Sequence, residues 1–447
     1  MVLTPTLSLL GFTISFVLLH TTLQERFRRS NRPVAEEKLE RELPHLWERP
    51  PSVDVVVPTY NEHPDVLEAC LASLANQDYK GATRVLVVDD GSANLEDLLP
   101  VYRRYQARPE WTVLLRHAGD NGKRHAQDAA IKGAGPDMVT WFGSADVAWP
   151  GSKAEFVLTV DSDTVVAPGG ISWILTPFID DKVAAVTGDV GILNRETNTL
   201  TRLIAERYKL LFRHERAAQS HFGRVFCCAG PFSAYRRLHL DEVWDDYMSR
   251  KFFRASCTFG DDLQLTNLML EKGYRSIYQP LATALTTAPT TLRGYLRQQW
   301  RWNRSFYRQF RWVFRVLLND RKAYRSNAYQ AFDLTARLAT PLLLVTAFVT
   351  TMLGLASLEA SRIVSDLLAV GGTAAAWLSA VLWQTRKLGF TLRYGLIFVA
   401  LLLPVRIWAL CTLLDSQWGT RTKAGGDVSD QRAIDAIRRG LGELASP

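Results

Sequence analysis

The sequence predicts an α/β fold: a parallel-rich sheet wrapped by helices on both faces, with apolar helical segments at the two ends of the chain. Three observations predict it. The segments "VDVVVPTY" (Val53–Tyr60), "RVLVVDDGS" (Arg84–Ser92) and "FVLTVDSDTVV" (Phe156–Val166) are short β-branched runs. The first two lead into helical stretches, "HPDVLEACLASLANQ" and "NLEDLLPVYRRYQ", and the third follows a helix beginning near Lys123. Continuous apolar strands separated by helices mark a parallel sheet buried on both faces. Such sheets bind ligands at the carboxyl ends of their strands, where this chain carries "PTYNE", "DDGS" and "DSDT". Neither G-x-G-x-x-G nor G-x-x-x-x-G-K-[ST] occurs, so no dinucleotide fold or P-loop is indicated.

The 447 residues leave room for two or three domains. A formal charge of +8 suits an anionic partner such as a nucleotide diphosphate, lipid headgroups or nucleic acid, and does not choose among them. Cys70, Cys227, Cys228, Cys257 and Cys411 are odd in number and form no C-x-x-C pair, which points to reduced thiols facing the cytosol.

The apolar ends predict membrane segments. Met1–Gln24 lacks a basic n-region and a clear cleavage site, and its apolar stretch of about eighteen residues just spans a bilayer. Arg26, Arg28, Arg29 and Arg32 follow and would hold that end in the cytoplasm, with the N-terminus outside. Leu338–Ser357, Ile363–Trp383 and Tyr394–Leu414 read as further spans, the last carrying Pro404 and Arg406. An arginine at that depth faces protein or water, or snorkels from near one end.

"DSDT" places Asp161 and Asp163 one residue apart at a strand end. In an extended chain both would face one divalent ion, whose other sites phosphate oxygens fill. Alone the D-x-D pattern is a weak signal. In order, however, "VVVPTYNE", "VVDDGS", "DSDT", "FGDD" and "QQWRW" resemble the motifs of a processive inverting glycosyltransferase of family 2 with the GT-A fold. The most similar subgroup holds the hyaluronan synthases and the rhizobial nodulation chitin-oligosaccharide synthases, and the likeness runs from about Val53 to Arg421.

The resemblance implies a UDP-sugar donor at the strand edge, with Tyr60, Glu62 and Asp90 at uracil and ribose and Lys123 and Arg124 near the diphosphate. It implies Asp163 as metal ligand, Asp161 near the ribose or the ion, and Mg²⁺ or Mn²⁺ as the cofactor. Asp262 matches the general base, with Asp261 in support. Gln298, Arg301 and Trp302 match Q-x-x-R-W: Arg301 would hold the diphosphate and Trp302 would floor the acceptor site. Cys228, Gly230 and Pro231 fall where relatives line the active site, and Cys228 reads as a pocket wall rather than a nucleophile. Trp418 and Arg421 of "WGTR" resemble a gating segment over UDP. That role needs a cytosolic tail, whereas a simple count of spans puts the tail outside; a partly interfacial or re-entrant Tyr394–Leu414 would reconcile them. Around "QQWRW", arginines alternate with aromatics as in an amphipathic helix at a membrane interface. A nucleic-acid-binding helix would leave the flanking spans unexplained.

The expected organisation is therefore an N-terminal transmembrane helix (1–24), a juxtamembrane linker (25–50), a cytosolic GT-A domain (51–290), interfacial helices (291–330), a C-terminal transmembrane region (331–416) and a tail (417–447). This describes a multi-pass plasma-membrane enzyme, with lipids and a growing polysaccharide as partners and no nucleic acid. "FGDD", "WNRSF" and "WGTR" lean to hyaluronan made from UDP-GlcNAc and UDP-GlcA, the reading adopted at this point. The single N-terminal span, "ACLASLANQDY" and "ERAAQSHFG…CC" lean to chitin oligosaccharides made from UDP-GlcNAc only, the alternative. Residues 135–156 depart from both groups. A non-catalytic membrane carbohydrate-binding protein is a remote third reading, opposed by the intact acids.

Overall fold

A computed structural model of the protein describes residues 15–29, 48–116, 122–133, 138–141, 149–252, 255–256, 260–319, 324–357 and 381–414, with a few single positions between 364 and 379. Helix α1 covers residues 15–29. Strand β1 (Val53–Thr59) leads to α2 (Pro64–Ala75), β2 (Thr83–Asp89), α3 (Leu95–Gln106), β3 (Trp111–Arg116), α4 (Lys123–Lys132) and β4 (Met138–Trp141). Then come β5 (Phe156–Val160), β6 (Thr164–Val166), α5 (Gly170–Leu175), β7 (Val183–Ile192), α6 (Thr199–Leu210) and, past a π-helical turn at Leu211–Arg216, α7 (Ala217–Ser220). Strand β8 (Phe232–Arg236) and α8 (Arg237–Ser249) are followed by a small hairpin, β9 (Lys251–Phe252) and β10 (Ala255–Ser256). The chain continues through α9 (Asp261–Glu271), β11 (Arg275–Thr286), α10 (Leu292–Asn319), α11 (Tyr324–Ser357) and α12 (Leu388–Cys411).

The main sheet has nine strands in the order β4-β3-β2-β1-β5-β8-β7-β11-β6. Strands β3, β2, β1 and β5 are mutually parallel, as are β7 and β11, while β4, β8 and β6 run against their neighbours. Burial on both faces explains the unbroken apolar runs. Val55 and Val57 of β1 pack with Leu67, Leu71 and Tyr102 on one side. Val56 packs with Leu86, Ala126, Trp244 and Leu268 on the other. In register, Thr59 lies beside Asp89, so the polar strand ends meet at one edge.

One expected strand divides. "FVLTVDSDTVV" is β5, a turn, and β6, because Thr164 N–H donates back to the Asp161 carbonyl at 2.9 Å and β6 leaves to pair antiparallel with β11. Asp161 and Asp163 thus sit in a turn, and the expectation that they face one side as members of an extended strand does not hold.

Among the described residues one helix, α12, is long and apolar enough to cross a membrane, with a mean hydropathy of 2.0. It begins six residues before the expected Tyr394, and a π-helical turn at Phe398–Leu402 accommodates Pro404, which lacks a hydrogen-bonding N–H. Arg406 faces protein: its Nε donates to Asn303 Oδ1 of α10 at 3.0 Å. Part of the arginine-aromatic stripe on α10 also faces protein. Arg304 stacks 3.8 Å from the Trp300 ring, Trp300 donates to Thr412 Oγ1, and Arg308 donates to the Leu413 carbonyl. The expected span Leu338–Ser357 is the distal part of α11, and Met1–Gln24 is described only from residue 15. Most of Ile363–Trp383 and the whole of 417–447, with Trp418 and Arg421, lie outside the described residues.

Candidate active site

The strand edge is built first by side chains that fix its loops. Asp89, the last residue of β2, accepts from the backbone N–H groups of Gly91 and Ser92 and from the Tyr102 hydroxyl at 2.6 Å. Asp90 turns the other way, and its carboxylate accepts from Gly122 N–H at 2.7 Å. Asn61 adopts φ 51°, a left-handed conformation that asparagine tolerates. Its side-chain oxygen accepts from Ala93 N–H at 2.7 Å. Glu62 is buried and accepts from the Ser162 hydroxyl at 2.8 Å, which ties "PTYNE" to "DSDT". Tyr60 is half-buried at the same edge.

In the "DSDT" turn the two acids differ. Asp163 accepts from Thr286 Oγ1 at 3.1 Å and Thr287 Oγ1 at 2.7 Å, at the end of β11. Asp161 is ion-paired to Lys123 Nζ at the start of α4. Burial pushes Lys123 down, but Asp161, and behind it Asp262 and Asp261, outweigh this and leave its pKa above the usual lysine value. Arg124 does not reach the same space. It is buried, gives Nε and Nη2 to Asp261 Oδ1 and Nη1 to the Tyr247 carbonyl at 2.8 Å, and lies 4.4 Å from the Tyr247 ring. Of the two cations expected near the diphosphate, Lys123 therefore lies at the strand edge, while Arg124 is spent on Asp261 behind it.

The "GDD" start of α9 separates its acids in the same way. Asp261 is buried against Arg124, and burial raises its pKa above the usual carboxylate value. Asp262 is half-buried and turned toward β8: Oδ2 accepts from Gly230 N–H at 3.2 Å and from the Cys227 thiol at 3.4 Å, while Oδ1 accepts from Leu263 N–H. Gly260 has φ 78°, and a Cβ there would lie 2.7 Å from Ser305, so glycine lets α9 start directly against α10.

The two neighbouring cysteines are placed differently, and Cys228, the one expected to wall the pocket, lies the deeper. Cys228 is fully buried in the core, its thiol pushed up to about 12 by burial despite the Thr266 hydroxyl beside it, which also accepts from the Cys228 backbone N–H at 2.9 Å. Cys227 touches Asp262 instead, and burial beside that carboxylate raises its thiol pKa far above the ordinary value. Sequence reasoning missed Cys227 because "VFCCAGP" reads as a strand-like apolar run in which either neighbour could point inward.

Across from α9, Trp302 of α10 is exposed, 6.4 Å from the Tyr208 ring. Arg301 is half-buried beside it, and Gln298 Oε1 is buried with no hydrogen-bond partner among the described residues. A cavity of about 100 Å³ lies next to this space, lined among others by Glu215, Arg216, Cys227, Phe306 and Leu334. Burial pushes Glu215 up, but Arg207 and Arg337 outweigh it and hold its carboxyl at about 2. The structure thus brings together Tyr60, Glu62, Asp90, Lys123, Asp161, Asp163, Gly230, Asp262 and the α10 motif around one edge.

That arrangement combines a polar strand edge, an ion-paired ammonium, two turn carboxylates and a half-buried acid. Comparisons with known proteins agree. Residues 50–305 match the model of "Glycosyltransferase like family 2". An N-acetylglucosaminyltransferase of Mesorhizobium japonicum is 39% identical over 381 residues, covering 84% of this chain and 82% of its own. One of Sinorhizobium fredii is 39% identical over 378 residues, covering 83% and 84%. Among solved structures, a mannosyltransferase from Pyrobaculum calidifontis in complex with GDP-Man and Mn²⁺ is similar in fold, with a TM-score of 0.58 at 21% identity over 91% of this chain and 99% of its own. The expected GT-A-type fold and glycosyltransferase activity stand, and the chain belongs to glycosyltransferase family 2.

Proposed function

We propose that the protein is a processive, inverting N-acetylglucosaminyltransferase that builds a β-linked chitin-oligosaccharide chain from UDP-GlcNAc at a membrane. The observation that carries this reading is the name shared by relatives that align along more than four-fifths of both chains. It favours the alternative over the hyaluronan reading to which "FGDD", "WNRSF" and "WGTR" lean. The α12 helix supports membrane attachment.

In this reading Tyr60, Glu62 and Asp90 hold the nucleoside and Lys123 and Arg301 hold the diphosphate. Asp262 takes the proton from the acceptor hydroxyl as that oxygen displaces UDP from the anomeric carbon, a step typically worth about 10²–10⁴ in rate. Gly230 N–H and the Cys227 thiol aim its carboxylate. Trp302 offers the acceptor sugar a flat face, and Pro231, beside Gly230, walls the acceptor side.

Among the described residues no group of three or more His, Cys, Asp or Glu is placed to hold a metal. Asp163, with Asp161, still fits a Mg²⁺ or Mn²⁺ that takes its remaining ligands from phosphate, because such ions commonly use one or two carboxylates plus the nucleotide. When bound, the ion supplies positive charge to the departing diphosphate.

The test is a donor panel. Membranes containing the protein are given UDP-GlcNAc, UDP-GlcA or both, and the product is digested with chitinase or hyaluronan lyase. A chitinase-sensitive product from UDP-GlcNAc alone is expected. A product that needs both donors and yields to the lyase would restore the hyaluronan reading.

A further inference from the structure

Lys123 is ion-paired to Asp161, one of the two turn carboxylates that in the proposed reading would hold the cation. We propose that the Lys123 ammonium stands in for the divalent cation when the donor is absent. Arrival of the nucleotide diphosphate draws Lys123 off Asp161 and so opens the cation position. The inference rests on the metal-assisted donor reading above and adds an order to it: the ion is held only together with the nucleotide.

Three features of the site support the exchange. The backbone around Lys123 is fixed, since Gly122 N–H donates to Asp90 at 2.7 Å, so any exchange must come from the side chain. The pair is pressed against Gly230, where a Cβ would lie 2.8 Å from Lys123 Nζ and 3.5 Å from each Asp161 carboxylate oxygen. Finally, Asp163 already accepts from Thr286 and Thr287, so neither acid of the turn awaits a cation by itself.

Electrostatics then sets the order. A divalent ion approaching Asp161 alone meets the ammonium in the same place and is repelled at short range. A diphosphate gives the ammonium a new anionic partner and supplies oxygen ligands to the ion. Metal and nucleotide therefore strengthen each other, and by linkage the factor is the same in both directions.

The test measures Mn²⁺ binding to the detergent-solubilised full-length protein by the electron paramagnetic resonance of free Mn²⁺, with and without UDP. Wild-type protein should bind Mn²⁺ about tenfold or more tightly with UDP than without, within the ordinary range of coupling. Lys123→Met should bind Mn²⁺ without UDP more tightly than wild type and lose part of the coupling, the part that remains coming from the diphosphate oxygens, while Lys123→Arg keeps it all. Gly230→Ala, which crowds the ammonium off Asp161, should also bind Mn²⁺ without UDP. Equal wild-type affinity with and without UDP would overturn the exchange while leaving the metal in place. So would variants that fold, by their melting temperature, yet bind Mn²⁺ without UDP no more tightly than wild type. No Mn²⁺ binding even with UDP would overturn the metal reading and the exchange together.

Discussion

The strand edge and the helical wall facing it are built on opposite plans. At the edge, Asn94 Oδ1 apart, the fixing polar groups are internally satisfied: Asp89, Asn61 and Glu62 spend their side chains on neighbouring loops, and Asp163 on two threonines. Across from it, Gln298 Oε1 and Arg216 Nη1 are buried without a hydrogen-bond partner among the described residues, beside or near a small cavity, and Trp302 is exposed. Buried polar atoms without partners cost free energy. A wall that carries them is suited to a polar ligand that arrives and moves on, whereas the satisfied edge suits a ligand bound in one fixed pose. In the proposed reading the first is the acceptor chain and the second the nucleotide.

The sharpest way to separate the two plans is Asp262→Asn. Transfer should fall about 10²–10⁴-fold, while UDP binding, which rests on the edge, stays within a few-fold of wild type by calorimetry. Retention of more than a tenth of turnover would remove Asp262 from the role of base.

Its neighbour should behave in the opposite way. Asp261→Ala strips the partner from the buried Arg124 guanidinium, and loss of one member of such a pair costs about 3–5 kcal/mol of stability. The melting temperature should drop sharply, in contrast to Asp262→Asn. Equal melting temperatures for the two variants would show that Arg124 is not held as described.

A smaller effect distinguishes the cysteines. Cys227→Ser leaves a hydroxyl donor beside Asp262 and should alter the pH profile of transfer by a few-fold change in rate, with little loss of stability. Cys228→Ser places a hydroxyl in the buried core with Thr266 as its polar neighbour and should lower stability by about 1–3 kcal/mol with the pH profile unchanged. Identical profiles for the two variants would place neither thiol at the reacting acid.

The legibility of the two regions in the sequence followed the same division. Strands such as "VDVVVPTY" are readable because burial on both faces makes nearly every residue apolar, the buried Asp54 being paired with Arg84, and their ends are readable because polar residues resume there. The pairing partners are not, since no local pattern tells β6 to leave β5 and join β11. Nor does the sequence of "DD" say which acid meets Arg124, or "CC" which thiol meets Asp262: a choice between neighbours depends on helix phase set by tertiary packing. Gly260 against Ser305, separated by 45 positions, illustrates why. The arginine-aromatic stripe of α10 was legible as amphipathic, but its contact with the end of α12 depends on an element about a hundred residues later.

The proposed division into a nucleotide edge and an acceptor wall can be broken at a single residue, Trp302. In Trp302→Ala, polymer formation and UDP-GlcNAc hydrolysis are measured on the same preparation. The account predicts a polymer yield reduced far more than hydrolysis, with part of it recovered in Trp302→Phe, whose smaller ring still offers a stacking face. Polymer and hydrolysis lost in equal measure, together with weakened UDP binding, would contradict it and place Trp302 in the nucleotide site.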